Sequence, residues 1–319
     1  MQSQLLAKIT YGGNLTGLQP NEYESTLTYL CMKGLATVFS ALASCFLFSV
    51  VRRCPRIREK VRFILLACIM ASETTCFCTL FIISAFGVFS WSISYLGCSF
   101  LRVLSNTTNN AELYGMAAMC LDRYLAVCHP LLYDAFCSSK NILRSVLFVC
   151  LAPLVVPCSL FLLQNFLLDS QTVLGLVDNC SFNHLEVYPW MTSVRLGLFS
   201  VQFLACFLII CTTYVLVVKE GIRAGAISSV NHRARRTILF HLVQLSLYIL
   251  PIVMYLVYYS LLGTSPALFP ILPHLQMANT VIFTLAQIIN PVVFGLCAEE
   301  MKPFVPAVLR RGRQVVPRS

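Results

Sequence analysis

Charge is scarce in this sequence. Aspartate, glutamate, lysine and arginine make up 11% of its 319 residues, whereas soluble domains carry roughly a quarter. Acids are the scarcer sign, with 13 against 23 Lys and Arg, and 58% of the chain is hydrophobic. A soluble core does not explain that balance, but helices of about 20 apolar residues crossing a bilayer do. Other absences narrow the classes further. Alternation at period two is missing and the apolar runs exceed the roughly ten residues of a barrel strand, which argues against a membrane barrel. The five histidines (His129, His184, His232, His241 and His274) are scattered, no HExxH string occurs, and the "CFC" at 76–78 has neither His nor acid beside it. These gaps argue against an enzyme and against a metal centre of thiolate or imidazole type. No inverted repeat relates the two halves, as a transporter would favour. The first 26 residues lack a basic start followed by an apolar core, so no cleavable signal peptide is expected.

What is present is a series of long apolar runs, at 27–51, 61–88, 98–127, 142–165, 191–218, 237–262 and 270–297. They predict an all-α membrane protein, a seven-transmembrane helix bundle. Nineteen of the 23 Lys and Arg fall at or beyond one set of helix ends, including "RRCPRIREKVR" after the first run and "KEGIRAGAISSVNHRARR" after the fifth. Positive charge collects on the cytoplasmic side, which predicts an extracellular N-terminus and a short cytoplasmic C-terminal tail. The expected organisation is an extracellular segment at 1–26, a transmembrane domain at 27–297 and a basic amphipathic tail at 298–319. The net charge of +10 is read as a topology signal, so the lipid bilayer is an expected partner and nucleic acid is not. "NLT" makes Asn14 a glycosylation acceptor on the outer side.

Most of the 16 cysteines sit inside apolar runs, where a thiol acts as a small hydrophobe. Cys98 and Cys180 instead fall on the outer side, where a disulfide can tie the loop before the fifth run to the third helix. Glu73 and Glu112 lie in mid-span, and Asn290 accompanies Pro291 in the seventh run. Two acids at one depth can share a proton or hold a sodium ion, with Asn290 adding a neutral oxygen; a single protonated glutamic acid bridging two helices is the other reading. Asp122 and Arg123 end the third run, about 37 Å from Cys98 along a helix and hence at the inner mouth. There they form either a switchable ion pair or an arginine reaching for lipid phosphate. Pro251 and Pro291 interrupt the sixth and seventh runs and predict kinks. Residues expected to line an outer cavity are Arg102, Ser105, Asn106 and Asn109, Leu198 and Gln202, and Ile252, Tyr255 and Tyr259. Their mixture of amides, aromatics and aliphatics suits a small, partly polar molecule.

"DRY" at 122–124, Cys98 twenty-five residues earlier, Cys180, and "NPVVF" at 290–294 resemble rhodopsin-like (class A) G-protein-coupled receptors. The longer string "MAAMCLDRYLAVCHPLLY" is similar to vertebrate odorant receptors, as are Glu112 and His241. Departures such as Glu73, "LYILP" around Pro251 and Phe294 fit a divergent, fish-type branch. The resemblance implies a receptor at the plasma membrane, in sensory cilia if olfactory. It further implies that an odorant binds in the outer half and that a stimulatory, olfactory-type heterotrimeric G protein docks at the inner mouth. Asp122, Arg123, Tyr124, Tyr214, His241, Asn290, Pro291 and Phe294 would form the coupling switch. No cofactor is implied beyond the sodium ion. A non-olfactory class A receptor for a peptide, lipid or metabolite is the alternative, with a transporter behind it.

Overall fold

In a computed structural model of the chain, the structure describes residues 20–53, 61–131, 133, 139–168, 175–177, 180, 189–223, 246–247, 249–254, 257, 275 and 277–286. The main elements, in chain order, are α1 (Pro20–Arg53), α2 (Val61–Val88), β1 (Ile93–Ser94), α3 (Tyr95–Cys128), α4 (Ser139–Leu167), β2 (Leu176–Val177) and α5 (Pro189–Arg223). A shorter apolar helix covers Met277–Ala286, and 249–254 is helical with Pro251 buried in it.

Among the described residues four helical stretches are long and apolar enough to cross a membrane: Leu27–Arg53, Val61–Val88, Leu143–Leu167 and Ser193–Arg223. Each coincides with an apolar run of the sequence. The third run is also a helix, of 34 residues, or about 51 Å at 1.5 Å per residue. Its polar and charged side chains keep it out of the apolar set. The sixth and seventh runs fall largely outside the described residues.

Two compact units are present, one comprising Met1–Ala41 with Ile64–Val217 and the other Leu42–Phe63 with Val218–Ser319. In the first, α3 is the central element. Its Gly115 meets α2 so closely that a Cβ there would stand 2.5 Å from Ile69 Cγ1, with Val149 of α4 on a further side. Small residues let membrane helices approach in this way, because lipid gives no hydrophobic drive for side chains to bring them together. Hydroxyl groups inside the helices are satisfied locally. Thr74, Thr75, Thr79 and Ser84 each donate to the carbonyl four residues earlier, a common solution where no water reaches. Large apolar side chains such as Leu35 and Leu42 of α1, Phe148, Val155 and Phe166 of α4, and Val201 and Val215 of α5 stay exposed. Such bands suit a hydrocarbon surround.

The link from α2 to α3 is tightly specified. Ser90 adopts φ 50° and the Trp91 amide donates back to the Phe86 carbonyl at 3.1 Å, a left-handed helix stop. β1 then pairs antiparallel with β2, Ile93 opposite Val177 and Ser94 opposite Leu176. Ser94 caps α3, its Oγ accepting from the Gly97 amide at 3.2 Å. A Cys98–Cys180 disulfide, with Cα atoms 5.5 Å apart, staples the segment after β2 to α3. Ile83, Tyr95, Cys98 and Cys180 form a small core there.

Candidate functional site

At the disulfide end of α3, Arg102 lies one turn beyond Cys98, and its guanidinium donates to the Cys180 carbonyl. Its described partner is thus the backbone of the stapled loop. Ser105 is buried, while Asn106 and Asn109 are partly buried along the same helix. Gln202 of α5 donates to Tyr114 Oη of α3 at 3.4 Å, so it joins the two helices; Leu198, one turn away, is exposed. Ile252 is partly buried and belongs to the second unit. Sequence reasoning gave no role to Tyr114 or Lys33. Lys33 Nζ donates to Ser84 Oγ of α2 at 3.0 Å.

Midway along, Glu73 and Glu112 are both almost wholly buried, at 0% and 1% exposure. Ser40 of α1 donates to Glu73 Oε1 at 3.4 Å and shares a 2.9 Å hydrogen bond with Thr74. Cys76, buried one turn from Glu73 on α2, contacts the Ser105 carbonyl of α3 at 3.9 Å. Among the described residues no group of three His, Cys, Asp or Glu side chains is placed to hold a metal. The carboxyl and hydroxyl oxygens present are of the kind that suits a hard cation.

At the far end of α3, Asp122 is buried and accepts from Tyr133 Oη at 3.1 Å across the turn that follows the helix. Tyr124 Oη and His129 Nε2 share a 3.1 Å hydrogen bond with their rings edge to face. Arg123 lies within electrostatic reach of Tyr214 on α5. The Cys128 thiol contacts the Leu216 carbonyl at 3.9 Å, which fastens α3 to α5 at this end. Asp122, Arg123 and Tyr214 are thus gathered in one place. Tyr133 was legible only as part of a pattern, and its role as the partner of Asp122 is new. Asn14, His241, Tyr255, Tyr259, Asn290, Pro291 and Phe294 lie outside the described residues.

Comparison with known families places this arrangement. The family described as 7 transmembrane receptor (rhodopsin family) matches residues 35–294, well over half of the chain. The chain belongs to that family. It is therefore a membrane receptor built as an all-α helical bundle, and not an enzyme. The receptor is 23% identical over 204 residues to Odorant receptor 131-2 of Danio rerio, covering 63% of this chain and 60% of that relative. It is 24% identical over 237 residues to Olfactory receptor 5I1 of Homo sapiens, covering 69% of each. Probable G-protein coupled receptor 148 of Homo sapiens is 25% identical over 225 residues, 67% of this chain and 62% of the relative. The receptor thus spans less than two thirds of the Danio rerio relative's length.

Proposed function

We propose that this receptor is an odorant receptor with seven spans and an extracellular N-terminus, glycosylated at Asn14. A small molecule binds in the outer half of the bundle, near Arg102, Ser105, Asn106, Asn109 and Gln202, with Leu198, Ile252, Tyr255 and Tyr259 as further contacts. Binding releases Arg123 from its resting contacts toward Tyr214, and a stimulatory, olfactory-type heterotrimeric G protein docks at the opened inner mouth. His241, Asn290, Pro291 and Phe294 complete the switch on the sixth and seventh helices. The observation that carries the reading is the Tyr133–Asp122 hydrogen bond beside Arg123 at one end of α3, within a string of odorant-receptor type. The plasma membrane of sensory cilia is the expected site of action. Glu73 and Glu112 hold either a shared proton or, with Asn290, a sodium ion.

A second reading is favoured by the match to a receptor whose printed name carries no olfactory term: a non-olfactory class A receptor for a peptide, lipid or metabolite. A cyclic AMP reporter in cells supplied with an olfactory-type stimulatory Gα separates the two. An odorant or amino-acid library should yield a response that disappears when that Gα is deleted. A response that survives the deletion contradicts the coupling, and ligands confined to peptides or lipids contradict the odorant assignment.

A further inference from the structure

Two contacts join α3 to α5, Tyr114 with Gln202 and Cys128 with Leu216, and they are fourteen residues apart on each helix. The two helices therefore run side by side in one direction, at a constant register, for about 21 Å. Gln202 heads a stripe on α5 that continues through Cys206, Ile210 and Thr213, all three buried, at the spacing of one helix face. Cys206 and Ile210 need no strong hydrogen-bond partner, and Thr213 donates to the Ile209 carbonyl of its own helix at 2.7 Å. Gln202 has no such local solution. Its Nε2 donates to Tyr114 Oη at 3.4 Å, while its Oε1 is buried without a hydrogen-bond partner.

The pair is left with one donor and one acceptor. Tyr114 accepts from the amide and has no other hydrogen bond among the described residues, so its O–H is unspent, as is Gln202 Oε1. Turning the amide over exchanges the roles and keeps the balance: the phenol then donates, and an N–H and a phenol lone pair remain. A buried acceptor left without a donor is costly, and a single group that both donates and accepts closes the set. A hydroxyl does so with one oxygen. Ketones, ethers and hydrocarbons bring no hydrogen to Oε1, and a carboxylate brings none either. Phe148 of α4 stands edge to face with the Tyr114 ring at 6.0 Å and is largely exposed, so the pair borders an apolar surface. There an amide ligand would lose more hydration than an alcohol.

We infer that Tyr114 and Gln202 form a hydroxyl subsite on the joint between α3 and α5, and that it takes neutral aliphatic alcohols. This rests on the small-molecule receptor reading and names its ligand class. The alcohol oxygen accepts from Tyr114 Oη, and its hydrogen goes to Gln202 Oε1. The Gln202 amide keeps its bond to Tyr114, so the three groups form a closed ring of hydrogen bonds that support one another. The alkyl chain lies against Phe148.

The test uses the full-length receptor in phosphatidylcholine nanodiscs and a diazirine analogue of octanol, whose light-driven adducts are mapped by mass spectrometry. Adducts should fall on the α3 and α5 peptides around Tyr114 and Gln202. Octanol should compete for them at a concentration about fivefold to tenfold below that of its isomer heptyl methyl ether, the worth of one hydrogen bond. Gln202→Leu should erase that advantage, because only the alcohol donates to Oε1. Tyr114→Phe should weaken alcohol and ether alike, since both accept from the phenol, and it stands in if Gln202→Leu fails to fold. Equal competition by octanol and the ether, adducts confined to other faces of the bundle, or an alcohol advantage that persists in Gln202→Leu overturns the inference. Displacement by cholesterol but not by octanol gives the hydroxyl to a membrane sterol and overturns the assignment to a free alcohol. A ketone that evokes cyclic AMP while the octanol analogue leaves this joint unlabelled overturns the subsite and leaves the receptor reading standing. Labelling at this joint in a receptor that no library compound activates does the reverse.

Discussion

Asp122 is a buried acid whose described partner is a tyrosine eleven residues on, Tyr133 Oη at 3.1 Å. That bond ties the end of α3 to the segment that follows it, and it helps keep the acid in place beside Arg123. Removing the hydroxyl costs the resting arrangement about 0.5–1.5 kcal/mol. Tyr133→Phe should therefore raise basal cyclic AMP about twofold to tenfold per receptor at the surface, if the bond is present only in the resting state. Unchanged basal signalling would show that the bond does not favour one state. The same hydrogen bond illustrates what a sequence conceals. Tyr133 is visible in "HPLLY" as a pattern match, but its partner depends on how the chain turns after Cys128, and His129 caps that turn by donating to the Leu125 carbonyl. Lys33 is a similar case: composition marks it as a cost in the membrane, and only packing reveals Ser84 opposite it.

Helices and their joints hold the next set of consequences. Gly115 permits α2 and α3 to touch, and any side chain there must push Ile69 aside at Cγ1, close to the backbone, where little can give. Gly115→Ala should cost about 1–3 kcal/mol through overpacking and lower the surface level of tagged receptor; Ile69→Ala in that background should restore part of it. No rescue would place the strain elsewhere. The strand pair and the disulfide act as one joint, with β1 and β2 pairing beside Cys98–Cys180. Cys98→Ser and Cys180→Ser should fail to the same degree, and the double variant no worse, since both remove one bond. Additive losses would argue for two separate roles. The disulfide was legible from two cysteines outside the apolar cores of the runs, whereas strands of two residues are too short to leave any alternation to read. The start of α1 was missed for a related reason. Hydropathy begins at Leu27, but the helix begins at Pro20, a residue whose fixed φ and missing donor suit the first helical position.

Across the whole molecule, hydropathy marked the long apolar helices that the structure describes. The span read at 61–88 coincides with α2, and those read at 142–165 and 191–218 lie within α4 and α5. Apolar length is a direct physical requirement of the bilayer, so it survives in sequence without any knowledge of packing. The third helix is the exception that matters. Its Arg102, Glu112, Asp122 and Arg123 weaken its apolar signal because it is central, buried by its neighbours and carrying the polar groups of the site. Those same residues run from the disulfide end of the helix to the proposed switch at the other, and Arg123 is the claim on which the account depends. The most direct measurement compares surface-quantified Arg123→Ala with the wild type in cells containing an olfactory-type stimulatory Gα. The account predicts normal surface level with ligand-evoked cyclic AMP reduced at least about tenfold, the loss of one charged contact made only in the active state. Full signalling by Arg123→Ala at the same surface level would contradict it.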